Sequence, residues 1–246
     1  MKKFSAIIAL IVMFAVSGTY AQNQVTVHVT GGYDLPTGDF KGDINSTDTS
    51  ATNTYLQKSG FNAGADVAYY LGKKRNVGIT LSLGYHGFTS GEGTLVANTT
   101  SKAQFNIIAV GLGVEYAFMP KGKANPFIGV EFTGNFFSGK FTSTPTTGTA
   151  TEFTLKSASR FGVQPHVGVD IKASKNIGFV IGARYNLANL IGKAFDSTSV
   201  STTEFSLDDK EHTIGTTTVD AKNISYLSFY AGVSFYLGQP KKVMKK

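Results

Sequence analysis

The sequence contains no cysteine and no tryptophan. Without cysteine there is no disulfide and no lipid-modified N-terminal thiol, so a chain of this size must hold together by strand pairing and burial. It also lacks any apolar run near the roughly 20 residues that a spanning helix needs. The run 6–16 has only 11 residues. A basic face is missing as well. The net charge of +7 sits mostly at the ends, in Lys2, Lys3, Lys241, Lys242, Lys245 and Lys246. That leaves nothing resembling a nucleic-acid footprint, and no nucleic acid is expected as a partner.

What is present begins with a secretory pattern. Lys2 and Lys3 precede the apolar run, and Thr19 and Ala21 flank Tyr20 in an A-x-A-like site. Cleavage after Ala21 is expected, making 1–21 a removed signal peptide, 22–238 a barrel domain and 239–246 a Lys-rich periplasmic tail. Beyond the signal, eight segments alternate apolar with small or polar residues at a period of two, the mark of a half-buried strand. Val25, Val27 and Val29 alternate with Thr26, His28 and Thr30 in the first of them. Ile108, Val110, Leu112 and Val114 alternate with Ala109, Gly111, Gly113 and Glu115 in the fourth.

The connections between these segments alternate in length. Segments 72–76, 119–125 and 172–176 are short, whereas 34–59, 89–102, 138–156 and 188–222 are long and rich in Thr, Ser and Gly. Short turns on one side and long loops on the other are the wiring of a transmembrane barrel. The fold class expected is all-β: an eight-stranded antiparallel up-and-down transmembrane β-barrel, with strands of about 9–13 residues tilted across the hydrocarbon.

In such a barrel the apolar rows face outward into lipid. Three features support that inversion over a soluble β-sandwich. The opposite rows are rich in Gly, as at Gly78, Gly111, Gly162 and Gly182, which relieves crowding in a narrow lumen. Their few charges come in both signs: Asp66, Glu115, Glu131 and Asp170 with Arg160 and Arg184. Confined together these six form an interior charge network, with Arg184 and Arg160 expected to pair with Glu131 and Asp66. Aromatics gather at the strand ends as two girdles: Tyr69, Tyr116, Phe118, Phe127 and Phe235 on the turn side, and Tyr33, Phe61, Tyr85, Phe136 and Tyr185 on the loop side.

With Gly31-Gly32-Tyr33-Asp34-Leu35-Pro36-Thr37-Gly38-Asp39-Phe40 after the first strand, Asn125-Pro126-Phe127-Ile128-Gly129-Val130 opening the fifth and Phe235-Tyr236 in the last, the chain resembles small bacterial outer-membrane β-barrel proteins of the OmpA/OmpX-like kind. The resemblance covers nearly the whole mature chain. It implies the outer membrane of a Gram-negative cell, contact with its lipid and lipopolysaccharide, and insertion by barrel-assembly machinery with periplasmic chaperones, as a monomer. Barrels of this kind host unrelated activities, so the resemblance implies location better than action.

Candidate chemistry is sparse. His86 lies near Ser90 and Glu92, an arrangement that acyl transfer would use, but Ser-rich loops produce such neighbours by chance, and His28, His86 and His166 read as interior histidines. The patch Asp208-Asp209-Lys210-Glu211-His212 lacks metal-ligand spacing and reads as a solvated loop tip. The Gly pairs sit at strand period with no helix following, so they make no dinucleotide fingerprint. No catalytic residue, cofactor or metal is expected. The expected role is structural and interactive, through four exposed loops over a filled lumen; a narrow channel for a small apolar solute and a lipid-modifying enzyme are the alternatives.

Overall fold

The computed structural model describes residues 25–44, 54–72, 74–94, 97–195, 203–214 and 216–237. The proposed signal peptide and the Lys-rich tail lie outside them. Alternation dictates the elements that follow. Seven long strands come first: β1 (Val25–Thr37), β2 (Ser59–Leu71), β3 (Val77–Gly93), β4 (Thr99–Ala117), β5 (Ala124–Pro145), β6 (Thr151–Lys172) and β7 (Ile177–Ile191). Three short ones, β8 (Glu204–Phe205), β9 (His212–Ile214) and β10 (Thr217–Val219), precede the last long strand, β11 (Ser225–Leu237). Sequential neighbours among the long strands pair antiparallel, β11 pairs with β7, and β1 pairs with β11, so eight strands close into a ring. Closure leaves no strand edge unsatisfied in lipid, which is the condition for crossing a bilayer with strands.

The rows face as alternation predicts. Leu112 is 60% exposed and Phe132 50%, and neither packs into a protein core. Their neighbours Glu131 and Thr133 are buried inside. Nine of the ten girdle aromatics point outward. The exception is Phe127, which is buried in the lumen between His28 and His166. Its parity decides the matter: it stands one position off the outward row of Ile128 and Val130.

The strands are longer than the hydrocarbon requires, running from 13 to 22 residues. Two of the expected long loops are therefore mostly strand, and only 94–98 and 146–150 connect β3 to β4 and β5 to β6. The membrane boundary is written into β4 and β5 by a change of parity. From Ile108 to Tyr116 the outward row is apolar. Nine residues at about 3.3 Å each, tilted by about 40°, span about 23 Å, close to the apolar band of such barrels. Above Ile108 the pattern reverses: Phe105 and Ile107 point inward and are buried, while Lys102, Gln104 and Asn106 point outward. The adjacent pairs Ile107-Ile108 and Phe136-Phe137 lie in register across β4 and β5 and mark the switch. Above it the outside is water and the inside is apolar, the ordinary order of a soluble sheet. β3 to β6 thus continue beyond the membrane as a wall on one side of the barrel.

Candidate functional site

The lumen is filled from the middle outward by polar side chains. Arg184 of β7 pairs with Asp66 of β2, and its guanidinium lies over the Tyr230 ring, 4.3 Å from the centroid. Glu131 of β5 accepts hydrogen bonds from Ser82 (2.5 Å) and Gln164 (3.3 Å). Glycine makes room for this layer, since a Cβ at Gly111 would come within 2.7 Å of the Glu131 carboxylate.

Three further carboxylates each face a histidine. Asp34 accepts from Asn62 (2.8 Å) and lies 2.8 Å from His86 Nδ1. Glu115 accepts from Tyr70 and lies 3.4 Å from His166 Nε2. Asp170 accepts from Ser234 (2.6 Å) and Tyr236 (2.8 Å), with His28 Nε2 at 4.0 Å. Five interior carboxylates thus share one arginine and three histidines. Hydroxyl and amide donors supply much of the remaining stabilisation, because a buried carboxylate needs its lone pairs filled as much as it needs a counter-ion.

At the loop end the character changes. Phe40, Phe88, Phe105, Phe137, Leu207 and Tyr226 form part of an apolar cluster across the mouth. Phe40 arrives on a 3-10 turn, Gly38–Phe40, directly after β1. Gly38 permits this because its φ of +55° belongs to the left-handed region. Leu207 arrives from the opposite direction, on the long connection between β7 and β11. That connection is tied to β6 twice. β8 pairs parallel with Thr154 and Leu155, and Asp209 receives Arg160 through Nε (2.8 Å) and Nη2 (2.9 Å). Asn189 Nδ2 and the Ala194 amide also donate to Asp209, which is fully buried.

The two loops interlock above this layer. The Tyr55 hydroxyl donates to Asp208 O (2.9 Å), and the Asn223 amide donates to Asp39 (2.9 Å). Burial, followed by the negative charges of Asp209 and Asp208, pushes the Tyr55 hydroxyl pKa up from its ordinary value. The arrangement is a plug of two loops wedged in a barrel mouth.

Residues 6–208 match the sequence profile of the outer membrane protein beta-barrel domain. The chain belongs to that outer-membrane β-barrel family. Among solved structures it is similar to Neisserial surface protein A, at 14% identity and TM-score 0.48, covering 86% of this chain and 96% of that one. It is also similar to the N-terminal barrel of Pseudomonas aeruginosa OprF, at 10% identity and TM-score 0.41, covering 89% of this chain and 100% of the other. For Pseudomonas aeruginosa OprG the values are 11% and 0.43, covering 87% and 97%. A comparison with curated proteins returns no match. The protein is an integral barrel of the Gram-negative outer membrane.

Within this outer-membrane barrel the six charged residues singled out from sequence are all inward or at the mouth, but their partners differ from expectation. Arg184 takes Asp66, one of the two carboxylates expected to partner the arginines. Arg160 takes neither Glu131 nor Asp66 but Asp209, because it stands a layer higher, opposite Asn135 on β5, where the returning loop supplies a carboxylate. Asp209 is accordingly no solvated tip. His86 pairs with Asp34, while Ser90 is occupied by Gly91 O (2.6 Å) and the Ala103 amide (2.9 Å), so no nucleophile–base pair forms there. Among the described residues no group of three or more His, Asp or Glu is placed to hold a metal ion. Sequence reasoning missed Asp34, Asn62 and Asp209 as network members. Asp34 had a legible signal, since it continues the inward row Thr26, His28, Thr30; Asp209 had none.

Proposed function

We propose that this barrel acts through its outer surface and does not conduct. The reading rests on the plugged mouth: an aromatic and aliphatic layer, fixed by the buried Arg160–Asp209 pair, lies over a lumen already filled with hydrogen-bonded side chains. An eight-stranded ring is narrow enough for side chains to fill it. The extracellular wall of β3 to β6 and the interlocked loops are then what the cell displays, held rigidly above the membrane. In this reading the protein is not an enzyme, its loop side meets lipopolysaccharide, and the barrel-assembly machinery with periplasmic chaperones delivers it.

Conductance tests the proposal directly. The purified full chain, reconstituted in planar bilayers, is expected to give no discrete current steps. Stable steps from the native protein would overturn the reading in favour of a narrow channel. An open-channel current that appears only in Asp209→Ala would instead show the plug to be what closes an otherwise continuous lumen.

A further inference from the structure

The three short turns share a property that net charge conceals. They carry Lys73, Lys74 and Arg75, then Lys121 and Lys123, then Lys172 and Lys175, and not one Asp or Glu. The loop side mixes both signs throughout, with Asp39, Asp43, Glu92 and Glu152 among its lysines, and ion pairs such as Lys58–Asp43, Lys140–Glu152 and Lys222–Asp208 form there. Nearby carboxylates on the turn side, Glu115 and Asp170, are buried in the lumen and engaged there. Barrel closure therefore gathers basic residues from three distant parts of the sequence into one ring.

The ring stands on fixed backbone. Asn76 O accepts from the Ala117 amide (2.7 Å), Lys123 O from the Lys172 amide (2.8 Å), and Asn176 O from the Tyr236 amide (2.9 Å). Lys172 also donates Nζ to Pro120 O (2.6 Å) and lies over the Tyr236 ring. Lys74, Lys121, Lys123 and Lys175 are exposed. Immediately above them, toward the membrane centre, stand the exposed apolar side chains of Leu71, Phe118, Met119 and Leu237. The basic groups are thus at headgroup depth, and turns this short cannot carry them far beyond it.

We infer that this ring is a docking surface for the anionic phosphate headgroups of phospholipids in the leaflet on the turn side. Apolar stems rest on the band while ammonium groups meet phosphate, the arrangement that long basic side chains favour at an interface. Each basic residue held near an anionic surface contributes attraction that falls off within a screening length. The turns that build the ring carry no Asp or Glu of their own, and the ring is spread around the barrel instead of marking one spot.

The test counts retained lipids. The full-length barrel is reconstituted in phosphatidylcholine vesicles containing a minority of phosphatidylglycerol, released, and weighed with its bound lipids by native mass spectrometry. Phosphatidylglycerol is expected among the retained lipids at about fivefold its bulk share, the ratio that one fully engaged basic side chain supplies. Combining Lys74→Gln, Lys121→Gln, Lys123→Gln and Lys175→Gln should return the ratio to the bulk value. Combining Lys102→Gln, Lys140→Gln and Lys156→Gln on the loop side should leave it enriched. Should the fourfold variant fail to fold, the native protein in about 1 M salt, where screening acts within about 3 Å, should lose the enrichment. Enrichment that survives either treatment, or that the loop-side variant also abolishes, overturns the inference. So does a native barrel that shows no enrichment but sediments with purified peptidoglycan, which would assign the ring to a glycan.

Discussion

Arg184 is the residue on which the lumen turns. Its side chain is largely buried, Asp66 is the one carboxylate bonded to it, and Glu131 contributes only through space. Removing that partner leaves a cation in a poor solvent. Asp66→Ala is expected to lower folded stability by about 3–5 kcal/mol, measured by urea unfolding in lipid vesicles. Glu131→Gln, which keeps an acceptor for Ser82 and Gln164, should cost under about 2 kcal/mol. Equal losses would mean that Glu131 carries as much of the pairing as Asp66. Tyr55 gives a second handle, in water instead of lipid. Its pKa is raised in the folded state, so the folded protein holds that proton more tightly than the unfolded chain does. Its contribution is complete below the ordinary tyrosine value near 10 and declines as pH rises past it. Protease resistance of the loops should therefore begin to fall at about pH 10 and keep falling as pH rises further, and Tyr55→Phe should remove that decline.

At the level of elements, the plug is the part that composition did not reveal. The period-two rows that made eight strands legible also hid their true length. Above Ile108 and Phe136 the apolar row changes sides, and a reading that follows one row sees the strand stop. Ile107-Ile108 and Phe136-Phe137 were visible as doubled apolar residues, and with the polar outward row Lys102, Gln104 and Asn106 they are the local sign that lipid gives way to water. Asp34 to Phe40 was equally visible as a motif, but its work depends on distant partners. Asp34 meets His86, Asp39 meets Asn223, and Phe40 meets Phe88 and Phe105. No spacing encodes contacts that exist only once the ring closes, and for the same reason Asp209 read as solvated. Its burial makes a prediction for the loop. Asp209→Ala strands Arg160 and should speed amide exchange across 203–214 by about a hundredfold or more, equivalent to losing about 3 kcal/mol locally, while β1 to β7 keep their protection. Uniform exchange across loop and barrel would contradict this separation.

Across the whole molecule, the feature with the widest reach is the pairing of β1 with β11. Thirteen residues of the first strand find partners in the last, from Val25 with Leu237 to Thr37 with Ser225. Folding is therefore expected to be all-or-none: the intact chain should resist detergent and shift on gels only after boiling, and a chain ending before Ser225 should migrate the same way heated or not. β1 can pair one edge with β2 early, but its other edge has to wait for the final strand before it is safe in lipid. Throughout that interval the outward rows of valine, isoleucine and phenylalanine have no bilayer to shelter them, so the hazard of clumping grows with the delay between the two ends. Shortening the stretch that separates them, by trimming the long connection ahead of β11, would narrow that window at the expense of the plug.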